Sequence, residues 1–169
     1  MIDQSQELIA VEVTENSIFL LFKCKDFMIE DKFPDDFFPP SGAEIFETNS
    51  TFYWFVDEIQ YIYCKPNCKH TIDDARQQVS RCHHYTSSNN FSKVFMICDL
   101  RLGSPLDKET RDFYSSSESQ NLVLKFAFIV RSPISKVMAN FFINLRKVDV
   151  PTKMFTDTKE AHLWCENDF

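Results

Sequence analysis

From Ser50 onward the chain alternates short apolar runs with stretches whose apolar residues recur at helical spacing. The runs are STFYWFV, IQYIYC, KVFMIC, LVLKFAFIV and PTKMF; between and after them lie TIDDARQQVSRCHHY, SPLDKETRDFYSS, SPISKVMANFFINL and DTKEAHLWC. Strands that alternate with helices must be carried back to the same end of a sheet each time, which requires right-handed crossovers and a largely parallel sheet. The first pair departs from this rule. Only Asp57 and Glu58 separate STFYWFV from IQYIYC, so these two form a hairpin and the first strand lies antiparallel at or near an edge. Within it, Phe52, Trp54 and Val56 share one face, and Tyr53 and Phe55 the other. KVFMIC is apolar without alternation, as expected of a strand covered on both faces.

Helix starts carry their own signals. Thr71 with Asp74 has capping-box spacing, and Ile72, Ala75, Val79 and Cys82 then form one apolar face. Ser104 reads as a cap with Pro105 at the first helical position, followed by a thin stripe of Leu106, Phe113 and Tyr114. Ser132 and Pro133 repeat that start, and Ile134, Val137, Met138, Phe141, Phe142 and Leu145 make the clearest stripe in the chain, which could be core or the lining of a hydrophobic pocket. Asp157 and Glu160 cap a last helix whose Ala161, Trp164 and Cys165 turn inward.

The region before Ala43 is different. ELIAVEV and SIFLLFKC read as two strands around the turn TEN. DKFPDDFFPPSG then packs three Pro, three Asp and three Phe into twelve residues, a linker whose Phe33, Phe37 and Phe38 could cover a patch on the main body or mediate self-association. The expected organisation is an N-terminal extension, residues 1–42, and a domain, residues 43–169.

Composition excludes several function classes. Two glycines among 169 residues cannot build a glycine-rich phosphate cradle, so no nucleotide cofactor is expected. A net charge of -7 with no basic stripe argues against nucleic acid and against docking on anionic lipid. No apolar stretch approaches the roughly 20 residues that span a bilayer, so no membrane insertion is expected. The acidic start MIDQSQELIAVEV lacks a signal-peptide pattern, so a cytoplasmic location and reduced thiols for the six cysteines are expected.

Catalytic and metal patterns are thin. Cys64, Cys68 and His70 lie before the first helix and Cys82, His83 and His84 near its far end, about 16 Å apart at 1.5 Å rise per residue, so they cannot share one tetrahedral zinc. Cys64, Cys68 and His70 alone lack a fourth ligand, and no metal site is expected. No G-x-S-x-G elbow exists, and no histidine has an evident nucleophile beside it in sequence, so the protein is expected not to be an enzyme. One arrangement points to binding. Arg101 and Arg131 each fall just past the C-terminal end of a parallel strand, each before a Ser-Pro helix start, at Ser104 and Ser132. Two guanidinium groups beside two helix N-termini could hold a small anionic or lipid-like ligand at that edge. The competing expectation is that both arginines are surface residues paired with nearby acids such as Asp99 and Asp107.

The segment from Tyr53 to Trp164 resembles a bacterial family of uncharacterised STAS-like, or SpoIIAA-like, proteins. The motifs that carry the resemblance are ICDLR, RSPISKVMANFF and PTKMFTDTKEAHLW. It implies an α/β fold with a mostly parallel sheet, an antiparallel first strand and helices packed on one side. It implies a non-enzymatic regulatory or interaction module that binds a protein partner or a second copy as a homodimer. In such proteins a switch serine follows the third strand in an Asp-x-Ser pattern. Asp99 matches the Asp, but Arg101 stands at the serine position. Ser104, three residues on, is the nearest phosphorylation candidate and more readily a helix cap.

Overall fold

The computed structural model describes residues 12–14, 17–19, 33–132 and 150–167. The chain divides into two compact units, Met1–Pro34 and Asp35–Phe169. In the first, β1 (Glu12–Thr14) pairs antiparallel with β2 (Ser17–Phe19), the ribbon expected around the TEN turn. The division falls upstream of residue 42, because the stretch after Pro34 packs on the second unit: Phe37 is buried, its ring 5.3 Å from that of Trp54 and 6.0 Å from that of Tyr61.

The second unit is built on a six-stranded sheet whose strands lie in chain order: β3 (Phe46–Glu47), β4 (Thr51–Val56), β5 (Ile59–Cys64), β6 (Val94–Asp99), β7 (Val123–Ile129) and β8 (Thr152–Phe155). The β3–β4 and β4–β5 pairs are antiparallel, and β5 to β8 run parallel. The hairpin between β4 and β5 turns at Asp57, whose φ of 49° is a left-handed conformation that Asp tolerates better than most residues. α1 (Ile72–Asn89) follows β5, α2 (Lys108–Tyr114) and α3 (Ser117–Gln120) follow β6, and α4 (Thr158–Glu166) follows β8. The helix expected from Ile134 to Leu145 lies outside the described residues. Among the described residues no helix is long and apolar enough to cross a membrane.

Two expected helix starts are found and one is displaced. Thr71 caps α1 in a full capping box with Asp74, and Asp157 caps α4 by accepting from Glu160 N. α2 does not begin at Ser104. Its cap is Asp107, which accepts from Thr110 N at 3.0 Å, so Ser104 and Pro105 stand in the preceding loop. A carboxylate serves the exposed N–H groups as well as a hydroxyl does and also complements the dipole, which decides between two cap candidates three residues apart.

The helices do not lie on one side of the sheet, and that expectation is corrected. Tyr53, Ile62, Cys98, Phe126 and Phe128 form a core on one face, together with α1, whose Gln78 donates to Thr51 Oγ1 at 2.7 Å. Trp54, Tyr61, Ile97, Ala127 and Phe155 point to the other face, where α4 packs: Lys125 Nζ donates to Trp164 O at 3.1 Å, and His162 stacks on Tyr61 at 6.2 Å. The reason is in the strands. β6 and β7 are apolar at successive positions, so both faces must be covered. Ala161 and Cys165 of α4 are fully buried there.

Candidate functional site

The C-terminal edge of the parallel strands carries the predicted arginines, and the structure separates them by role. Asp99 and Ile129 are register partners, so Arg101 and Arg131 each lie two residues past neighbouring strand ends. Arg101 is held between two carboxylates. Its Nε contacts both carboxylate oxygens of buried Asp99 at 3.1 Å, and its Nη1 and Nη2 each donate to Asp36 at 2.8 Å. Asp36 also accepts from Thr158 Oγ1 at 3.0 Å. The guanidinium between two carboxylates is held firmly in its charged form, and its hydrogen bonds hold the Asp36 carboxyl below the usual range. Arg131 and Ser132 are exposed at the end of β7.

On the opposite side of the same edge lies a cavity of about 100 Å³ between the sheet, the start of α1, and α2. Its sheet wall is apolar: Ile62, Met96, Cys98, Leu100, Phe126 and Phe128. The loop through Ser104 and Leu106 closes another side. Gly103 sits close under it, and a Cβ there would stand 3.3 Å from Cys64 Cβ. Arg111 of α2 also lines the cavity. Its Nη1 donates to Leu106 O, and among the described residues it makes no ion pair.

The remaining wall is a hydrogen-bonded chain. Asp74 Oδ2 accepts from Ser50 Oγ at 3.1 Å; Ser50 Oγ lies 2.7 Å from His70 Nδ1; His70 Nε2 lies 2.8 Å from the Tyr114 hydroxyl; that hydroxyl donates to Gln78 Oε1 at 2.8 Å; and Gln78 Nε2 donates to Thr51 Oγ1. Burial pushes the Tyr114 hydroxyl well above its ordinary pKa and pulls His70 down, the latter against the opposing pull of Asp74 and Asp107. The Asp74 carboxyl is held low by hydrogen bonds, with Thr71 foremost and Ser50 next, which outweigh its burial.

Ser50, His70 and Asp74 are the residue types of a hydrolytic triad in the wrong order. The serine stands between acid and histidine, so the carboxylate cannot orient the imidazole as a base. Of the thiols on the wall, Cys98 is pushed well above its ordinary pKa, first by a hydrogen bond with Cys64 and then by burial, which keeps it an unreactive thiol. Both ring nitrogens of His70 are engaged by Ser50 and Tyr114, leaving none for the zinc set with Cys64 and Cys68. Among the described residues no group of three His, Cys, Asp or Glu could hold a metal.

Residues 53–167 match DUF7793, a domain of unknown function. The chain belongs to that family. No curated protein matches the chain by sequence. A crystal structure of an uncharacterised DUF3478 protein with a SpoIIAA-like fold from Shewanella loihica PV-4 is similar at 13% identity and a TM-score of 0.49, over 73% of this chain and 92% of that one.

In this DUF7793 domain, Ser104 is the one predicted binding residue that lines the cavity, half-buried and away from any helix start. Arg111, His70 and Tyr114 were missed as site residues. Arg111 and Tyr114 are three apart on one short helix, a spacing that puts them on one side, but nothing local says that this side meets a cavity.

Proposed function

We propose that the domain is a non-enzymatic binding module for a small amphipathic anion, with the ligand's apolar tail in the cavity and its charged head at Arg111. The observation that carries this reading is a half-buried guanidinium on the rim of an apolar cavity, without a carboxylate partner among the described residues. Such a group favours a planar, bidentate anion, and a carboxylate fits that geometry. The misordered Ser50, His70 and Asp74 set and the unreactive Cys98 support binding rather than catalysis.

Size sets the ligand class. A cavity of about 150 Å³ lined by aliphatic and aromatic groups holds benzene, six non-hydrogen atoms, so about 100 Å³ admits roughly four, the inner part of a short chain. Four methylenes buried at about 0.8 kcal/mol each, with a charged hydrogen bond of about 2 kcal/mol, give a Kd on the order of 0.1 mM. A short-chain monocarboxylate such as hexanoate is the probe that fits. Isothermal titration calorimetry is expected to show hexanoate binding in that range, no binding of inorganic phosphate, and at least a tenfold loss in Arg111→Met. Equal binding by Arg111→Met, or none by the intact protein well above that Kd, would sink the site.

A regulatory role through a protein partner or a second copy is the second reading. Phe38 and Leu163, 57% and 56% exposed, are the apolar groups that favour it. Sedimentation of Leu163→Glu beside the intact protein tests it, with loss of a dimer as the supporting result.

A further inference from the structure

The polar wall of the cavity has a proton count that depends on His70. From Asp74 Oδ2 through Ser50, His70 and Tyr114 to Gln78 Oε1 there are four links, at 3.1, 2.7, 2.8 and 2.8 Å. Both ends only accept, so each link needs a hydrogen from within. Ser50 and Tyr114 supply one each. A neutral imidazole supplies one and an imidazolium two. With Gln78 Nε2 turned to Thr51, as it stands, all four links close only when His70 is charged.

A second arrangement closes with His70 neutral. The Gln78 amide turns over in place, its nitrogen donates to Tyr114, Tyr114 donates to His70 Nε2, Nδ1 donates to Ser50, and the Thr51 hydroxyl donates to Gln78 Oε1. Protonation of one ring therefore reverses the hydrogen bonds on its Tyr114 side and turns one amide, while every residue keeps its partners.

The groups around His70 act in opposite directions, and without a ligand they favour the neutral ring. Asp74 of α1 and Asp107 before α2 favour the imidazolium, and burial opposes it. Asp107 also faces Lys69 at 3.3 Å. Arg111 and Tyr114 of α2, Cys64 of β5, Cys98 of β6 and Cys68 line the same cavity. A carboxylate bound at Arg111 adds a negative charge to the cavity that His70 also lines, and this favours the imidazolium.

We propose that anion binding in this cavity is proton-linked: the occupied site takes one proton from solvent onto His70, and the empty site releases it. This rests on the reading of the cavity as an anion site and adds its regulation. By linkage, acid strengthens binding and binding raises the proton affinity of His70 by the same factor. In the ligand-free protein the sign for stability is the reverse. His70 is held below its ordinary value of 6.5, so its neutral form contributes stability above that pH, and the contribution is lost as pH falls through the lower folded value.

The test is calorimetric titration of the intact protein with hexanoate, from about pH 6 to about pH 9, in buffers of different ionisation heat. The expected result is uptake approaching one proton per hexanoate, with affinity falling by up to tenfold per pH unit between the free and bound pKa values of His70. Hexanol, which has no charge, is expected to bind without proton uptake. His70→Gln is expected to bind hexanoate with no uptake, and a ring titration of His70 by NMR in the unaltered protein gives the same answer should that variant fail to fold. Hexanoate binding that is independent of pH, with no proton exchanged, overturns the linkage and leaves the anion site standing. Absence of binding at every pH overturns both.

Discussion

On the α4 face the sheet meets aromatic rings, and on the α1 face it meets a cavity edged by polar side chains. Phe37, Trp54, Tyr61 and His162 lie in ring contact at 5.3, 5.5 and 6.2 Å in succession, and Trp54 is only 1% exposed. Across the sheet, Phe126 and Phe128 stack at 5.7 Å yet leave space before α2, and His70, Tyr114 and Gln78 link up around that space. The two arginines differ in the same way. Arg101 is enclosed by Asp99 and Asp36, whereas Arg111 holds only the Leu106 carbonyl among the described residues. One face is closely packed, and the other keeps room beside polar side chains, as binding sites do.

The largest expected effect tests the packing itself. Trp54→Ala should destabilise by about 3–5 kcal/mol in urea denaturation, while Phe128→Ala, which enlarges a space already present, should cost roughly 1–2 kcal/mol less. Equal losses would break the contrast. Next come the arginines. Arg101→Met leaves Asp99, 1% exposed, without its counter-charge and should cost about 2–3 kcal/mol. Arg111→Met removes no charge partner and should change stability by less than about 1 kcal/mol while losing hexanoate. If both variants unfold alike, Arg111 is a structural residue. The smallest effect is a gain. Gln60 is fully buried with neither side-chain polar atom hydrogen-bonded, so Gln60→Met should raise stability by about 1 kcal/mol, read as a higher urea midpoint.

What the sequence disclosed was what is local. The hairpin at Asp57, the capping box at Thr71 and the Asp157 cap depend on residues within a few positions of one another, and each is found where the spacing places it. The mixed sheet followed from the order of apolar runs. The placement of helices on one side came from the resemblance and not from the residues; the unbroken apolar character of β6 argued for two covered faces from the start. The site was hidden because its bonds are long-range. His70 meets Tyr114 across 44 positions, Ser50 meets Asp74 across 24, and Arg101 meets Asp36 across 65. Asp74 read as an ordinary first-turn acid, and it is one; that its carboxylate also reaches Ser50 depends on how the β3–β4 turn packs on α1.

The stretch from Asp35 to Phe38 reads as a spacer, yet through Asp36 it joins the end of β6 to the first turn of α4, 122 positions away, and through Phe37 it caps the indole of Trp54. The family match begins at Tyr53, so a fragment trimmed to that boundary would lose β3 and this clasp together and bare the indole to water. The compact unit begins at Asp35, so a fragment that starts there is expected to be more stable than one that starts at Tyr53.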